Sequence, residues 1–328
     1  MDTLMSDNYP FGLDIEDTAR VTGFVQSPEG IEMTGGDYGK VNQDGVYTIE
    51  FESGNMVPAH LQNDIHASVV IDCPDVQIGV GVTIERGTRI KADKLVIGDF
   101  TRIGDHVTLM APEIRIGDYV RMSAQTYGGG RKALSIGHNC YFGRGVYLDS
   151  NGQLTIEDNV AFGAYSQIWS HCEFGDTVYG LNPVWNTERA VTIRKDAWCI
   201  GRVVVSSASE IGERALVLNE SNVCCDIPAD TTWAGSPAKD MTAKFGPQFE
   251  ELSDGAKMGR LYEEIENFFA AFPQYDGELR CFAQPEGGGN HYVTYFDVAN
   301  RTYTKRRTAA EVAFLRWTKA KFTPAGEE

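Results

Sequence analysis

Apolar residues recur at every sixth position through the central part of this chain. The strictest run consists of Ile193, Cys199, Val205, Ile211, Val217 and Val223. An α-helix repeats every 3.6 residues and a strand every two, so neither element explains a period of six. Such a period is typical of a chain that turns a corner every six residues and closes a triangular coil. The pattern therefore predicts a mainly β fold, a left-handed parallel β-helix in which short strands of successive coils stack.

The same spacing begins earlier in the chain, with interruptions. The earlier sets are Ile65 and Ile71; Ile78, Ile84 and Ile90; Ile97, Ile103 and Leu109; Ile116 and Met122; Ile136, Phe142 and Leu148; and Ile156, Phe162 and Ile168. Glycine directly follows several of them, including Gly79, Gly98 and Gly117. Because glycine tolerates a positive φ, we expect these residues at the corners of the coil. We place the coil proper from about Ile65 to Val223, within a domain spanning residues 65–245.

Two segments break this register. Residues 123–135 contain the run Gly128-Gly129-Gly130-Arg131-Lys132, and residues 172–190 contain Trp185. A stacked coil accommodates extra residues by looping them outward, and such loops on a rigid scaffold often carry function. We therefore predict two outward loops, with neutral insertion as the open alternative for each.

The flanking segments predict two smaller parts of the chain. Residues 1–64 are expected to form a β-rich N-terminal cap that covers the open end of the coil. Residues 246–328 predict a small C-terminal α+β module with a helix over 246–272 and strands at 279–283, 291–297 and 302–305. Thr308 is expected to cap a final helix that runs through Lys319.

Composition narrows the classes of partner. The formal net charge of −17 disfavours nucleic acid, because a polyanion would be repelled by the molecule as a whole. No apolar run is long enough to span a membrane, and residues 1–20 lack a signal-peptide pattern, so we expect a cytoplasmic protein. The seven cysteines include no CxxC pair, and we expect neither a disulfide framework nor a metal site.

The segment from Val191 to Lys239 carries a more specific signal. It ends with Asp226-Ile227-Pro228 and Ala234-Gly235-Ser236-Pro237-Ala238-Lys239, in a hexapeptide frame without a gap. This wording resembles the closing segment of the hexapeptide-repeat acyltransferases, and the resemblance extends over about half of the chain, from Ile65 to Lys239. It implies transfer of an acetyl group from acetyl-CoA to a sugar or polysaccharide precursor, with a hydroxyl favoured over an amine. It also implies a homotrimer.

The resemblance further implies a catalytic histidine in the Ser170-His171 pair, directly before the second loop. Imidazole suits the role of general base because its pKa lies near neutrality. A plain surface histidine is the alternative. If Leu148, Ile168 and Val205 share one face of successive coils, the third residue after each also stacks. His171 would then lie between Asn151 and Ala208, so that Asn151 or the nearby Asp149 can fix the tautomer of the ring.

The remaining expectations concern the two substrates. Where the resemblance places the CoA arm and phosphates, this chain has Gly201, Arg202, Ala208, Asn219 and Lys239. Asn219-Glu220 departs from the family's small residues, which keeps open a non-catalytic scaffold or binding subunit that has lost CoA. For the acceptor we select Asp149, Trp169 and Trp185. A γ-type carbonic anhydrase on the same coil would need a pair of histidines separated by four residues, which this sequence lacks.

Overall fold

The computed structural model describes residues 58–172, 187–206, 208–282 and 293–326. It also describes the backbone of three strands closer to the N-terminus, Ile31–Glu32, Tyr38–Val41 and Tyr47–Glu50. The chain divides into two units, residues 1–248 and 249–328. Among the described helices, none is long and apolar enough to cross a membrane.

The first unit is a left-handed parallel β-helix with three sheets, as the six-residue period predicts. The first face consists of Asp75–Ile78, Lys94–Ile97, Glu113–Ile116, Leu134–Ile136, Leu154–Ile156, Val191–Ile193 and Glu210–Ile211. The second face consists of Asp64–Ile65, Thr83–Ile84, Arg102–Ile103, Arg121–Met122, Tyr141–Phe142, Ala161–Phe162, Trp198–Cys199, Leu216–Val217, Thr232–Ala234 and Lys239–Asp240. The third face consists of Val70–Asp72, Arg89–Lys91, Thr108–Met110, Tyr127–Gly129, Tyr147–Asp149, Gln167–Ile168, Val204–Val205 and Asn222–Val223.

The ends of the coil carry additional strands. Ile31–Glu32 pairs in parallel with Asp75–Ile78 and extends the first sheet, followed by the antiparallel strands Tyr38–Val41 and Tyr47–Glu50. A 3-10 turn, Ala59–Leu61, precedes the first coil. At the other end, Lys239–Asp240 pairs antiparallel with Thr232–Ala234 and leads into helix α1, Thr242–Phe245.

The periodic apolar residues fill the interior of the coil. Every member of the run from Ile193 to Val223 is at most 1% exposed, as are Ile84, Ile103 and Phe142 in earlier coils. Successive partners such as Arg102 and Arg121 lie 19 residues apart, whereas Arg121 and Tyr141 lie 20 apart. The core therefore forms because each coil places its apolar residues directly over those of the coil before it.

Residues 123–135 do not loop outward as we expected. Tyr127–Gly129 pairs in register with Thr108–Met110 on one side and with Tyr147–Asp149 on the other. Gly128 occupies the inward position that an apolar residue fills in other coils, and a Cβ there would approach Leu134 Cδ2 to 2.9 Å. The apolar pattern lapses because a glycine takes a core position, while the coil itself is only one residue longer than the coil before it.

We expected a positive φ at the glycines that follow apolar residues, and the structure shows a different reason for glycine at these positions. None of Gly79, Gly98 and Gly117 has a positive φ; instead, Phe100 and Tyr119, two residues beyond Gly98 and Gly117, adopt it. A Cβ on Gly98 would lie 2.6 Å from the backbone nitrogen of Asp118. These positions therefore require glycine because two coils approach each other closely there.

The second unit joins two helices to a four-stranded sheet. Helix α2 spans Asp254–Ala271 with Ser253 as its N-cap, and a 3-10 turn follows at Pro273–Tyr275. The strands are Leu279–Phe282, Thr294–Asp297, Thr302–Tyr303 and Thr323–Pro324. Helix α3 spans Ala309–Trp317, and the side chain of Thr308 accepts a hydrogen bond from Glu311 N, as the sequence predicts for its N-cap.

Candidate functional site

His171 directly follows the third face, three residues after the inward-facing Ile168. Leu148 pairs with Ile168, and Ile168 pairs with Val205, so the stacking that we inferred from the sequence is correct. His171 and Asn151 are therefore neighbours in adjacent coils. The side chain of His171 is 24% exposed, so its ring is held by the protein on one side and open to solvent on the other.

The ring of His171 is held by a buried carboxylate. His171 Nδ1 lies 2.7 Å from Asp149 Oδ2, and the side chain of Asp149 is only 1% exposed. The same oxygen accepts hydrogen bonds from the backbone nitrogens of Ser170 (2.7 Å) and His171 (3.1 Å) and from Ser170 Oγ (2.6 Å). This arrangement favours the tautomer in which Nδ1 carries the proton and Nε2 keeps its lone pair.

Asn151 supports the other oxygen of that carboxylate. Its Nδ2 donates to Asp149 Oδ1 at 2.6 Å and lies 3.1 Å from His171 Nδ1. When Nδ1 carries a proton, both nitrogens of the second contact are donors, so only the bond to Asp149 is a hydrogen bond. Asn151 thus acts on His171 through Asp149, whereas the sequence analysis expected it to bond the ring itself as readily as Asp149.

The position of Asp149 corrects one expectation for the acceptor. We expected its carboxylate to contact the substrate, yet both of its oxygens are occupied by donors from Asn151, Ser170 and His171. Ser170 is itself buried, and its Oγ also accepts a hydrogen bond from Gly152 N at 2.8 Å. No substrate can reach Asp149, which belongs to the support of the histidine.

A column of aromatic rings runs along the third face to this histidine. Tyr127 stacks on Tyr147 with a centroid distance of 4.8 Å, and Tyr147 stacks on Trp169 at 4.6 Å. The centroid of Trp169 lies 6.4 Å from that of His171, and its Nε1 donates to Gln167 Oε1. We selected Trp169 from the sequence and missed the two tyrosines. Tyr127 and Tyr147 are 20 residues apart and pair in adjacent coils, whereas Tyr147 pairs with Gln167, so a spacing of one coil connects the tyrosines but does not lead to Trp169.

The long insertion begins at His171 itself. Partners on the second face lie 37 residues apart where Ala161 meets Trp198, because the sequence holds additional residues between Ile168 and Val191. At the base of the insertion, His171–Cys172 pairs antiparallel with Thr187–Glu188, and Arg131 Nη2 lies 3.1 Å from Glu188 Oε2. Trp185, which we selected for the acceptor, lies outside the described residues.

The residues selected for CoA occupy different environments. Gly201 is partly exposed, and a Cβ there would approach no atom closer than Ala164 O at 3.7 Å. Arg202 forms an ion pair with Glu220, one of the two residues that depart from the family's small residues. Asn219 and Lys239 are exposed, whereas Ala208 is completely buried. Ala208 therefore cannot contact a cofactor, because it is enclosed within the protein and has no surface that a ligand can reach.

The chain was compared with known proteins at the level of sequence and fold. No protein-family model matches it, and no curated protein matches it. The polySia-specific acetyltransferase NeuO matches in structure with 15% identity and a TM-score of 0.40, over 66% of this chain and 100% of that chain. A hexapeptide-repeat acetyltransferase from Vibrio cholerae, complexed with acetyl coenzyme A, matches with 24% identity and a TM-score of 0.25, over 42% of this chain and 68% of that chain.

A further match is AntD, an N-acyltransferase from Bacillus cereus in complex with dTDP and coenzyme A. It has 14% identity and a TM-score of 0.30, and the match covers 65% of this chain and 92% of that chain. All three identities lie below 25%, and all three TM-scores lie below 0.5.

Proposed function

We propose that this chain is an acyltransferase that moves an acetyl group from acetyl-CoA to a hydroxyl of a sugar or polysaccharide precursor. The observation that carries the proposal is the pair formed by His171 and Asp149. Asp149 holds Nδ1, and among the described residues none forms a hydrogen bond with Nε2. Many reactions use such a base, and the resemblance of residues 191–239 to hexapeptide-repeat acyltransferases selects acyl transfer among them.

The proposed reaction uses His171 as general base. Nε2 accepts the proton of the acceptor hydroxyl while the hydroxyl oxygen attacks the acyl carbon of acetyl-CoA. Asp149 stabilises the imidazolium that forms. His171 then gives this proton to the leaving sulfur. Acetyl-CoA supplies an acyl group that is already activated as a thioester, so no covalent bond to the enzyme is required. A hydroxyl is the favoured acceptor because it is a weak nucleophile unless a base removes its proton.

For CoA we propose contacts with Gly201, Arg202, Asn219 and Lys239. The space around Gly201 admits a ligand close to the backbone, since a Cβ there would meet nothing nearer than 3.7 Å. The Arg202–Glu220 ion pair reduces the repulsion that a lone Glu220 would exert on a phosphate. Lys239 is exposed and can reach an anionic group. These features fit the ligand, and Ala208 has no place among them.

The test is binding and turnover of acetyl-CoA by the wild-type chain and by His171→Ala. We expect both to bind acetyl-CoA with similar affinity in calorimetry, because His171 is not among the residues proposed to hold CoA and protonates the sulfur only during transfer. Turnover with a panel of pyranosides, or slow hydrolysis with water as acceptor, should fall by roughly 10²–10⁴ in kcat. Chromatographic separation of acetyl-CoA from CoA gives the rate, without interference from the seven cysteines.

His66→Ala is the matched control, since His66 is exposed in the first coil and its ring forms hydrogen bonds with the nearby Ser68. It should retain wild-type turnover. If His171→Ala turns over at the wild-type rate, His171 is not the general base, although the chain can still be an acyltransferase. If the wild-type chain binds no CoA, the enzyme proposal fails and the non-catalytic scaffold takes its place.

For the acceptor we propose stacking of a pyranose on the exposed part of Trp169. Its ring ends the column formed with Tyr147 and Tyr127 and lies beside His171. Trp169→Ala should raise the acceptor KM by roughly tenfold, because aromatic contacts contribute about 1 kcal/mol beyond the area they bury. The Kd of acetyl-CoA should stay constant.

Trp169→Phe keeps a flat ring at this position and should recover most of the acceptor affinity. Steady-state kinetics with the best pyranoside of the panel measure both variants. An unchanged acceptor KM in Trp169→Ala would show that the column only stabilises the coil.

A further inference from the structure

Three consecutive basic residues line a cavity in the second unit. Lys305, Arg306 and Arg307 lie between the strand Thr302–Tyr303 and helix α3, in a chain whose net charge is −17. Together with Thr304 and Ala325 they surround an open cavity of about 500 Å³. Three cationic side chains around one cavity give it a positive local potential, which favours a negatively charged ligand there.

The backbone of this basic loop is held from beneath by Glu311. The carboxylate of Glu311 accepts hydrogen bonds from Arg306 N (2.7 Å), Arg307 N (3.0 Å) and Thr294 Oγ1 (2.8 Å). Glu311 is completely buried, and this burial raises its pKa above the usual carboxyl range. Because the loop is anchored at two successive amides, the bases of the cationic side chains have fixed positions at the cavity.

Arg306 differs from the arginines of the coil in its partners. Arg194 and Arg214 each form ion pairs with two carboxylates. Arg306 forms no ion pair with any described residue, and its Nε is buried without a hydrogen-bond partner. Nε itself is closed to solvent, so the groups of Arg306 that can bind a molecule in the cavity are its two Nη atoms, which form no hydrogen bond with any described residue.

We propose that this cavity binds the oxyanion of a small molecule, a phosphate or a carboxylate, with Arg306 as its principal contact. A guanidinium presents two parallel donors, a geometry that matches both phosphate and carboxylate oxygens. A volume of about 500 Å³ exceeds that of an isolated phosphate and leaves room for the group that carries it. The site belongs to the second unit and is separate from the proposed acetyl-transfer site in the coil.

The test titrates the full-length chain with inorganic pyrophosphate, and separately with glucuronate, by calorimetry in a low-salt buffer free of phosphate. We expect Arg306→Gln to weaken binding of the preferred anion by at least about tenfold, the effect of one lost charge-assisted bond pair. The affinity of Arg306→Lys for this anion should lie between those of the wild type and Arg306→Gln, because lysine keeps the positive charge but lacks the two parallel donors of the guanidinium. Preference for pyrophosphate or for glucuronate distinguishes a phosphorylated ligand from a sugar acid.

Arg260→Gln is the matched control, since Arg260 is exposed on α2 in the same unit and loses the same charge. It should bind the anion within about twofold of wild type. Lys239→Gln should also bind it normally, and Arg306→Gln should bind acetyl-CoA normally, which separates this site from the coil. Equal binding by Arg306→Gln and wild type, or no binding of either anion by wild type at millimolar concentration, would overturn the proposal.

Discussion

At the scale of single residues, a buried carboxylate sets the chemistry of His171. Asp149 is 1% exposed and accepts hydrogen bonds from two backbone amides, Ser170 Oγ and the amide of Asn151, besides His171 Nδ1. These donors compensate the cost of burying the carboxylate and leave it no freedom to rotate. The imidazole is therefore oriented before any substrate binds, and the proposed base needs no rearrangement to act.

Asp149→Asn tests this orientation. An amide at position 149 can donate its NH₂ to His171 Nδ1, which would place the ring proton on Nε2 and remove the lone pair that takes the acceptor proton. We expect kcat to fall by roughly 10²–10⁴, with the Kd of acetyl-CoA unchanged. Steady-state kinetics combined with calorimetry measure the two quantities separately.

Asn151→Ala provides the comparison at the same site. It removes one donor to Asp149 Oδ1 and leaves the bond between Asp149 and His171 intact. Its kcat should fall by no more than about tenfold, the effect of a single supporting hydrogen bond. If Asn151→Ala is the more damaging variant, Asn151 rather than Asp149 orients the ring.

The sequence predicted the neighbours of His171 better than their orientations. The stacking of Leu148, Ile168 and Val205 follows from the apolar period, and it correctly brings Asn151 next to His171. We expected Asp149 either to contact the acceptor or to bond the imidazole, and the apolar period does not decide between the two. The side chain of Asp149 turns toward the amides of the next coil, a preference for donors that no spacing rule encodes.

At the scale of elements, close contact between coils decides which corners need glycine. A Cβ on Gly98 would lie 2.4 Å from Asp118 Oδ1 and 2.6 Å from Asp118 N. Asp118 Oδ1 accepts a hydrogen bond from Asp99 N at 2.8 Å, so neither atom can move without breaking a buried bond. We expect Gly98→Ala to lower the free energy of unfolding by about 1–3 kcal/mol, measured by urea denaturation.

Gly255→Ala is the matched control for this substitution. Gly255 lies in α2, and a Cβ there would meet no atom within 4 Å. Alanine is the better helix former, so this variant should be neutral or more stable by up to about 1 kcal/mol. Equal stability of Gly98→Ala and the wild-type chain would mean that the two coils separate locally at small cost.

The sequence predicts the start of one helix correctly and the start of another incorrectly. Thr308 marks the start of α3 as its N-cap, a local signal that needs no tertiary information. The long helix was predicted from residue 246, but Gly246 has a φ of 75° and ends α1, and α2 begins only at Asp254. Gly128 concealed the third strand of one coil from the apolar pattern, because the side chains of Leu109 and Leu134 fill the space that its missing side chain leaves.

At the scale of the whole molecule, the coil presents an apolar strip on its second face. Tyr141, Ala161 and Trp198 are partners in successive coils, and their side chains point outward. Tyr141 is 45% and Trp198 is 44% exposed. The family resemblance implies a homotrimer, and we propose that this strip lies in the interface between copies of the chain, because contiguous exposed apolar surface usually marks an interaction site.

Trp198→Glu tests that assembly. A carboxylate at the centre of an apolar interface loses its hydration without gaining a partner, which costs several kcal/mol in each of the contacts that form the assembly. Sedimentation velocity should therefore show wild-type trimers and Trp198→Glu monomers at the same concentration. Tyr262→Glu introduces the same charge at an exposed aromatic residue of α2 and should remain trimeric. A monomeric wild-type chain would refute the trimer, and a trimeric Trp198→Glu would move its interface to another face of the coil.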